Sequence, residues 1–218
     1  MKKNAIFTKR PIRATAVLAA VLVLIMVPAA AFGIVYGYHA YQTEHGYAVT
    51  AETNTAPIKL DEQTMEELAQ YILRFDKETV NINDIGKRFE TYDALDTWLG
   101  GILLTSPMLD GEYLIYCTDD NAGVPIAAHI SATNTAYTIN ITIPLTELGT
   151  DFDWMTKGTD ILSKQTVTAE NGITAELVTT ETSVTAYFMY DSILYRMSIA
   201  GNHEEAAEVL SEIIGTMK

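Results

Sequence analysis

Cysteine is nearly absent from this chain of 218 residues: Cys117 stands alone, so no internal disulfide is available and any exported domain must be held by its apolar core. Basic residues are also scarce, with 14 Lys+Arg against 28 Asp+Glu and a formal charge of −14. A nucleic-acid binder is thereby disfavoured, because neutralising phosphates needs clustered Lys and Arg, and acidic partners are disfavoured for the same reason. There is no Gly-x-x-x-x-Gly-Lys-Ser/Thr run, no Gly-x-Gly-x-x-Gly, no His-Glu-x-x-His and no Gly-x-Ser-x-Gly. The commonest signatures of nucleotide binding, zinc proteolysis and serine hydrolysis are therefore missing. With an apolar fraction of 48%, the composition is that of a folded domain and excludes collagen, coiled coil, disulfide scaffold and disorder. No internal repeat of fixed period is visible.

The charge that is present is unevenly placed. Lys2, Lys3, Lys9, Arg10 and Arg13 all precede the first acidic residue, Glu44, so the opening 13 residues carry +5 while the remainder, with 9 basic and 28 acidic residues, carries −19. Between them Ala14 to Tyr38 has no charged side chain. At about 1.5 Å of helical rise per residue such a segment crosses a hydrocarbon core about 30 Å thick. The positive-inside bias keeps the basic tail, 1–13, in the cytoplasm, makes 14–38 a transmembrane helix and places the acidic part outside the cell. The same segment also reads as a signal peptide, with a basic start, an apolar Ala16 to Val27 and a small-residue cleavage site at Ala29-Ala30-Ala31, which predicts a secreted protein. The retained anchor is the first choice because apolar character continues through Phe32 to Tyr38, where the tyrosines suit a membrane interface. A lipoprotein anchor needs a Cys just after the apolar stretch, and Cys117 lies far downstream.

Residues 39–57 contain little to bury and read as a juxtamembrane linker, with the exported domain expected over 58–218. Met65, Leu68, Ala69, Ile72 and Leu73 recur at helical spacing behind Thr64-x-x-Glu67, which has the form of a capping box and predicts a helix to about Phe75. Thr91 is the expected N-cap of a shorter helix that turns Leu95, Trp98 and Leu99 inward and stops at Gly100-Gly101. After Pro107 the apolar period changes to two, most clearly at Tyr137, Ile139, Ile141 and Ile143. Further strands are expected at 112–117, 126–132, 164–169, 173–179, 183–190 and 193–200. Asn171-Gly172 fits a type I′ hairpin and Asp191-Ser192 a second turn. A closing helix capped by Asn202 buries Ala206, Val209, Leu210, Ile213 and Ile214. Helices, a run of antiparallel strands and a final helix make an α+β fold: a sheet packed with amphipathic helices.

The chemistry-bearing residues form no recognisable set. His39 and His45 fall in the expected linker, His129 in a strand and His203 in the first turn of the last helix, and no pair has metal-ligand spacing. A His129 base activating a Ser or Cys117 requires the fold to bring them together, and a structural histidine is the plainer account. Asp119-Asp120-Asn121-Ala122-Gly123 offers oxygens to a hard cation but lacks the spaced ligands and distal Glu of a calcium loop, so a hairpin turn is preferred. Asp151-Phe152-Asp153-Trp154 reads as an acidic-aromatic loop. No catalytic residue, metal ligand or cofactor site is assigned, and a hydrolase stands third among the readings.

The stretches Val167 to Val178, Ala186-Tyr-Phe-Met-Tyr-Asp-Ser-Ile-Leu-Tyr-Arg-Met-Ser-Ile199 and Glu204 to Lys218 resemble the domain of unknown function DUF4367. Arg88 to Pro107, a short helix ending in Leu-Gly before a Pro, is similar to the region that often precedes it. The resemblance implies an exported Firmicutes domain associated with anti-sigma-factor-like membrane proteins. It also implies a curved antiparallel sheet wrapped around helices, like that of lipoprotein carriers. A tail of 13 residues is too short to be a sigma-binding domain, so direct sigma inhibition is not expected.

Two functions follow as expectations. The first is a single-pass membrane protein whose extracytoplasmic domain is a non-catalytic binding or accessory module in envelope signalling, with an envelope protein as partner. The second is a secreted or anchored carrier of an apolar ligand, held in a groove whose expected lining includes Trp98, Leu103, Tyr137 and Trp154.

Overall fold

The structure is a computed structural model and describes residues 38–44, 46–52, 57–73, 85–120, 122–133, 136–146, 151–157 and 159–218. Residues 14–37 of the expected membrane passage lie outside these, as does Phe75. Among the described residues no helix is long and apolar enough to cross a membrane.

The fold is α+β. Among the described residues eleven strands run in chain order: β1 (Tyr38–Thr43), β2 (Gly46–Glu52), β3 (Lys87–Phe89), β4 (Tyr113–Asp119), β5 (Pro125–Thr133), β6 (Thr138–Pro144), β7 (Asp151–Lys157), β8 (Ser163–Thr168), β9 (Thr174–Thr179), β10 (Ser183–Tyr190) and β11 (Ile193–Ala200). Three helices are seen among the described residues: α1 (Glu62–Leu68), α2 (Tyr92–Trp98) and α3 (His203–Thr216). Eight strands form an antiparallel sheet in the order β3-β4-β5-β6-β11-β10-β9-β8, and β1-β2-β7 form a separate three-stranded sheet.

Period-two patterning sends alternate residues to opposite faces of the large sheet. Ile115 and Cys117 of β4, Ile139 and Ile141 of β6, Tyr195 and Met197 of β11 and Phe188 of β10 fill one face. The helices close this core: α3 buries Ala206, Leu210, Ile213 and Ile214 on it and packs against β10 and β11. The Phe188 and Tyr195 rings, partners across β10 and β11, stack with centroids 4.9 Å apart. The Tyr195 hydroxyl accepts a hydrogen bond from Leu104 N–H at 2.9 Å, and the Tyr92 hydroxyl donates to the Leu104 carbonyl at 2.8 Å. The long connection after α2 is thus pinned over the core. A smaller second cluster, Ala40, Tyr47, Val49, Val178 and Tyr187, joins β1 and β2 to the opposite face of β9 and β10.

The expected linker is corrected here. Residues 39–57 were expected to be a linker with little to bury, yet the compact unit begins at Tyr38, and β1 and β2 form a hairpin that continues into β7. Ala40, Tyr47, Ala48 and Val49 are buried, which supplies the apolar area that makes a three-stranded sheet worth forming. The loop expected at Asp151 to Trp154 is likewise strand β7, held in register with β2.

Local signals explain most element ends. Asp61, not Thr64, caps α1: its carboxylate accepts the Thr64 N–H at 3.0 Å and the Thr64 hydroxyl at 2.6 Å. The α-helix ends at Leu68 and continues as a 3₁₀ turn, Ala69–Tyr71. Thr91 caps α2 through the Ala94 N–H, and Asn202 caps α3 through the Glu204 N–H, as expected. Gly100 and Gly101 take positive φ after α2.

The two hairpin turns exchange roles. Asp191 and Ser192 both have positive φ, the signature of type I′. At Asn171-Gly172 only the glycine does, and the Gly172 N–H bonds the Ala169 carbonyl at 2.9 Å, so this turn is a type I turn closed by a glycine bulge. Asn171 is held out of the left-handed region because its side chain has other partners: Nδ2 donates to the carbonyls of Ile214 and Met217 at 2.7 and 2.9 Å, and Oδ1 accepts the Ile173 N–H. The hairpin is thereby fastened to the end of α3.

Candidate binding groove

A groove of about 720 Å³ opens between α3 and the outer end of the large sheet, over β8 and β9. It exists because the buried stripe of α3 faces β10 and β11, which leaves the flank carrying Glu204, Ala207 and Glu208 overhanging β8 and β9. Ala207 is small and half-buried, so the helix does not fill the space beneath it. The floor is apolar where Val167 and Leu177 point up from the sheet, and Leu162 stands at the mouth, 57% exposed. The wall is acidic. An apolar floor with a carboxylate wall suits an occupant with apolar side chains and a cation.

The other candidates are structural. His129 sits with Nε2 3.2 Å from the Thr118 hydroxyl and Nδ1 3.3 Å from that of Thr142, and its ring stacks on Tyr116. Burial pushes its pKa down to about 4, so the imidazole is neutral at pH 7 and is not poised to take a proton there. Cys117 faces the opposite side of the sheet, among the core residues, and burial pushes its thiol up to about 12. The pairing of His129 with Cys117 that the sequence left open is therefore not made. Asp120 accepts the Ala122 and Val124 N–H groups at 2.9 and 3.1 Å, which makes this segment a hairpin turn. Among the described residues no group of three or more His, Cys, Asp or Glu side chains is placed to hold a metal ion.

The four residues expected to line a ligand groove are not brought together. Leu103 and Tyr137 are buried in the main core, and the Tyr137 hydroxyl accepts the Asp110 N–H at 2.8 Å and donates to the Asp110 carbonyl at 2.9 Å. Trp98 packs against that core from α2. Its Nε1 donates to Glu67 at 3.0 Å, and Lys87, ion-paired to Glu67 at 2.7 Å, lies 4.1 Å above its ring. Hydrogen bonds from Lys87 and Trp98 hold the Glu67 carboxyl below its ordinary pKa. Trp154 belongs to β7 in the other sheet, opposite Val49, and its side chain lies outside the described residues. Large aromatics were the wrong guide, because they are what a core of this size is built from. The signal for the groove was strand 163–168, whose Ser, Lys, Gln and Thr are polar on both faces, the pattern of an edge strand.

Comparison of the chain with family models, with curated proteins and with solved structures found no match.

Proposed function

We propose that the protein is a single-pass, membrane-anchored binding domain that displays its α+β fold outside the cytoplasm and docks an envelope protein as an accessory or sensor. Residues 14–37 are the anchor in this reading, because Tyr38 already opens β1. The observation that carries it is the open groove beside α3, apolar at its floor and acidic at its wall. The +5/−19 division of charge about an uncharged segment supports the orientation. The test is crosslinking of the tagged full chain in its own membrane. A single stoichiometric membrane partner, lost when Glu204 and Glu208 are replaced by glutamine, supports the reading. Recovery of only abundant bystanders contradicts it.

The apolar floor of Val167 and Leu177 also favours a second reading, a carrier of an apolar ligand. Native mass spectrometry of the purified chain separates the two: a retained lipid supports the carrier, and a clean apo mass removes it.

A further inference from the structure

The large sheet ends differently at its two sides. At the β4 side, β3 pairs with Tyr113 to Ile115, and Ile72 bridges Cys117 with the Leu73 N–H on the Cys117 carbonyl at 2.8 Å. At the other side β8 pairs, among the described residues, with β9 alone. Its register fixes which backbone groups are spare. The Ala169 N–H bonds the Ile173 carbonyl at 2.9 Å, so Val167 opposite Ala175 and Gln165 opposite Leu177 are the hydrogen-bonded pairs. Thr168 and Thr174 form a wide pair of the other kind, and their hydroxyls meet at 3.0 Å, as the closer side chains of such pairs allow. Lys164, Thr166 and Thr168 therefore turn their N–H and C=O groups outward, and no described residue bonds them.

Edges of this kind are usually guarded by a lysine, a proline or a bulge. The one charged side chain on β8, Lys164, is instead drawn to the small sheet, where Nζ donates to the Ala40 carbonyl at 2.7 Å. Apart from the bulge in the turn that follows, the edge carries none of these devices. The side chains of Gln165 and Val167 point into the groove that α3 overhangs. Backbone groups that accept a strand thus lie directly beside space that accepts its alternate side chains.

We propose that this edge binds an extended segment of another protein as a ninth strand, with apolar side chains over Val167, Leu162 and Ala207 and a lysine or arginine against Glu204 and Glu208. The proposal rests on the binding-domain reading and names the chemistry of the partner. A second copy of this chain is the poorer occupant. The helix that overhangs the edge carries Glu204, Glu205, Glu208 and Glu212 and neither Lys nor Arg, so pairing two such edges sets like charges against each other.

The test uses the full chain in detergent and a synthetic peptide of about eight residues whose groove-facing alternate positions carry valine and one lysine, with threonine at the positions between. The readout is hydrogen exchange across residues 163–168. At a peptide concentration about nine times its Kd, exchange at Lys164, Thr166 and Thr168 slows about tenfold, because only a tenth of the edges stay open. Thr166→Pro removes one outward N–H and leaves the β9 ladder intact, so protection is lost while β10 and β11 exchange as before. Glu204→Gln with Glu208→Gln folds independently of the edge and weakens binding about fivefold. The idea is overturned if the peptide leaves 163–168 unprotected in the unmodified chain, or if a peptide with glutamate in place of lysine protects as well. Protection that rises with protein concentration and needs no peptide assigns the edge to a second copy and also overturns it. A peptide that protects a different strand removes this edge but leaves the binding-domain reading, which falls separately if the crosslinked chain has no defined partner.

Discussion

His129 gives the sharpest prediction about stability. Its imidazole is packed between Thr118 and Thr142 and stacked on Tyr116, and burial lowers its pKa from 6.5 to about 4. In the unfolded chain the ring takes a proton near pH 6.5. Because the folded value is the lower one, the unfolded state binds more protons as pH falls, and stability is lost through the window from 6.5 down to 4. Between pH 7 and pH 5 the loss is about 2 kcal/mol, counted from the two pKa values as an upper figure because the ring keeps some exposure. Hydrogen bonds hold the Asp61 and Glu67 carboxyls below their ordinary values, outside the range from pH 7 to pH 5. The assay is urea unfolding of the full chain at intervals from pH 7 to pH 5, repeated on His129→Phe. That variant keeps a ring over Tyr116 and cannot titrate, so its own stability does not matter; only the slope with pH is compared. The unmodified chain should lose stability toward pH 5 while the variant does so far less. Equal slopes would show that His129 is not the buried neutral group described.

Other expectations follow from single contacts. Asn171→Ala removes two hydrogen bonds donated to the end of α3 and one accepted from Ile173, and should lower stability by about 2 kcal/mol in urea unfolding. Ser192→Gly relieves a left-handed residue in the type I′ turn and should raise the melting temperature, with about 1 kcal/mol of stabilisation. Phe188→Ala empties a fully buried ring site stacked on Tyr195 and should cost about 3–5 kcal/mol by the same unfolding assay. Cys117, buried with its thiol pushed up to about 12, should resist alkylation in the folded chain at pH 8 and react promptly in urea.

What could be read from the sequence was set by how much apolar surface each segment commits. Strands 138–144, 183–190 and 193–200 bury a full face, so their alternation is unmistakable and their bounds are found within a residue or so. The helix caps at Thr91 and Asn202 were legible because a side-chain acceptor before an apolar run has few other uses. The small sheet was not, because β1 and β2 bury chiefly alanines, one tyrosine and one valine, interrupted by polar residues. The cap of α1 was misplaced by three residues because Asp61 and Thr64 both satisfy the capping rule, and only the observed bonds show Thr64 donating to Asp61. The turn at Asn171-Gly172 departed from its dipeptide preference because a tertiary contact with α3 engages the asparagine. The groove depends on α3 overhanging an edge strand, a relation between segments about 40 residues apart that no local pattern carries.

The central claim is that an intact N-terminal segment holds this domain at the outer face of a membrane. The most direct measurement is expression of the full chain with a C-terminal tag in a Gram-positive host. Fractionation, N-terminal mass analysis and protease access to the tag in whole cells then give its state. The account predicts a membrane-bound chain that still carries Met1 to Ala31, with the tag digested from outside. Release into the medium after cleavage at Ala31, or a tag protected inside the cell, would contradict it.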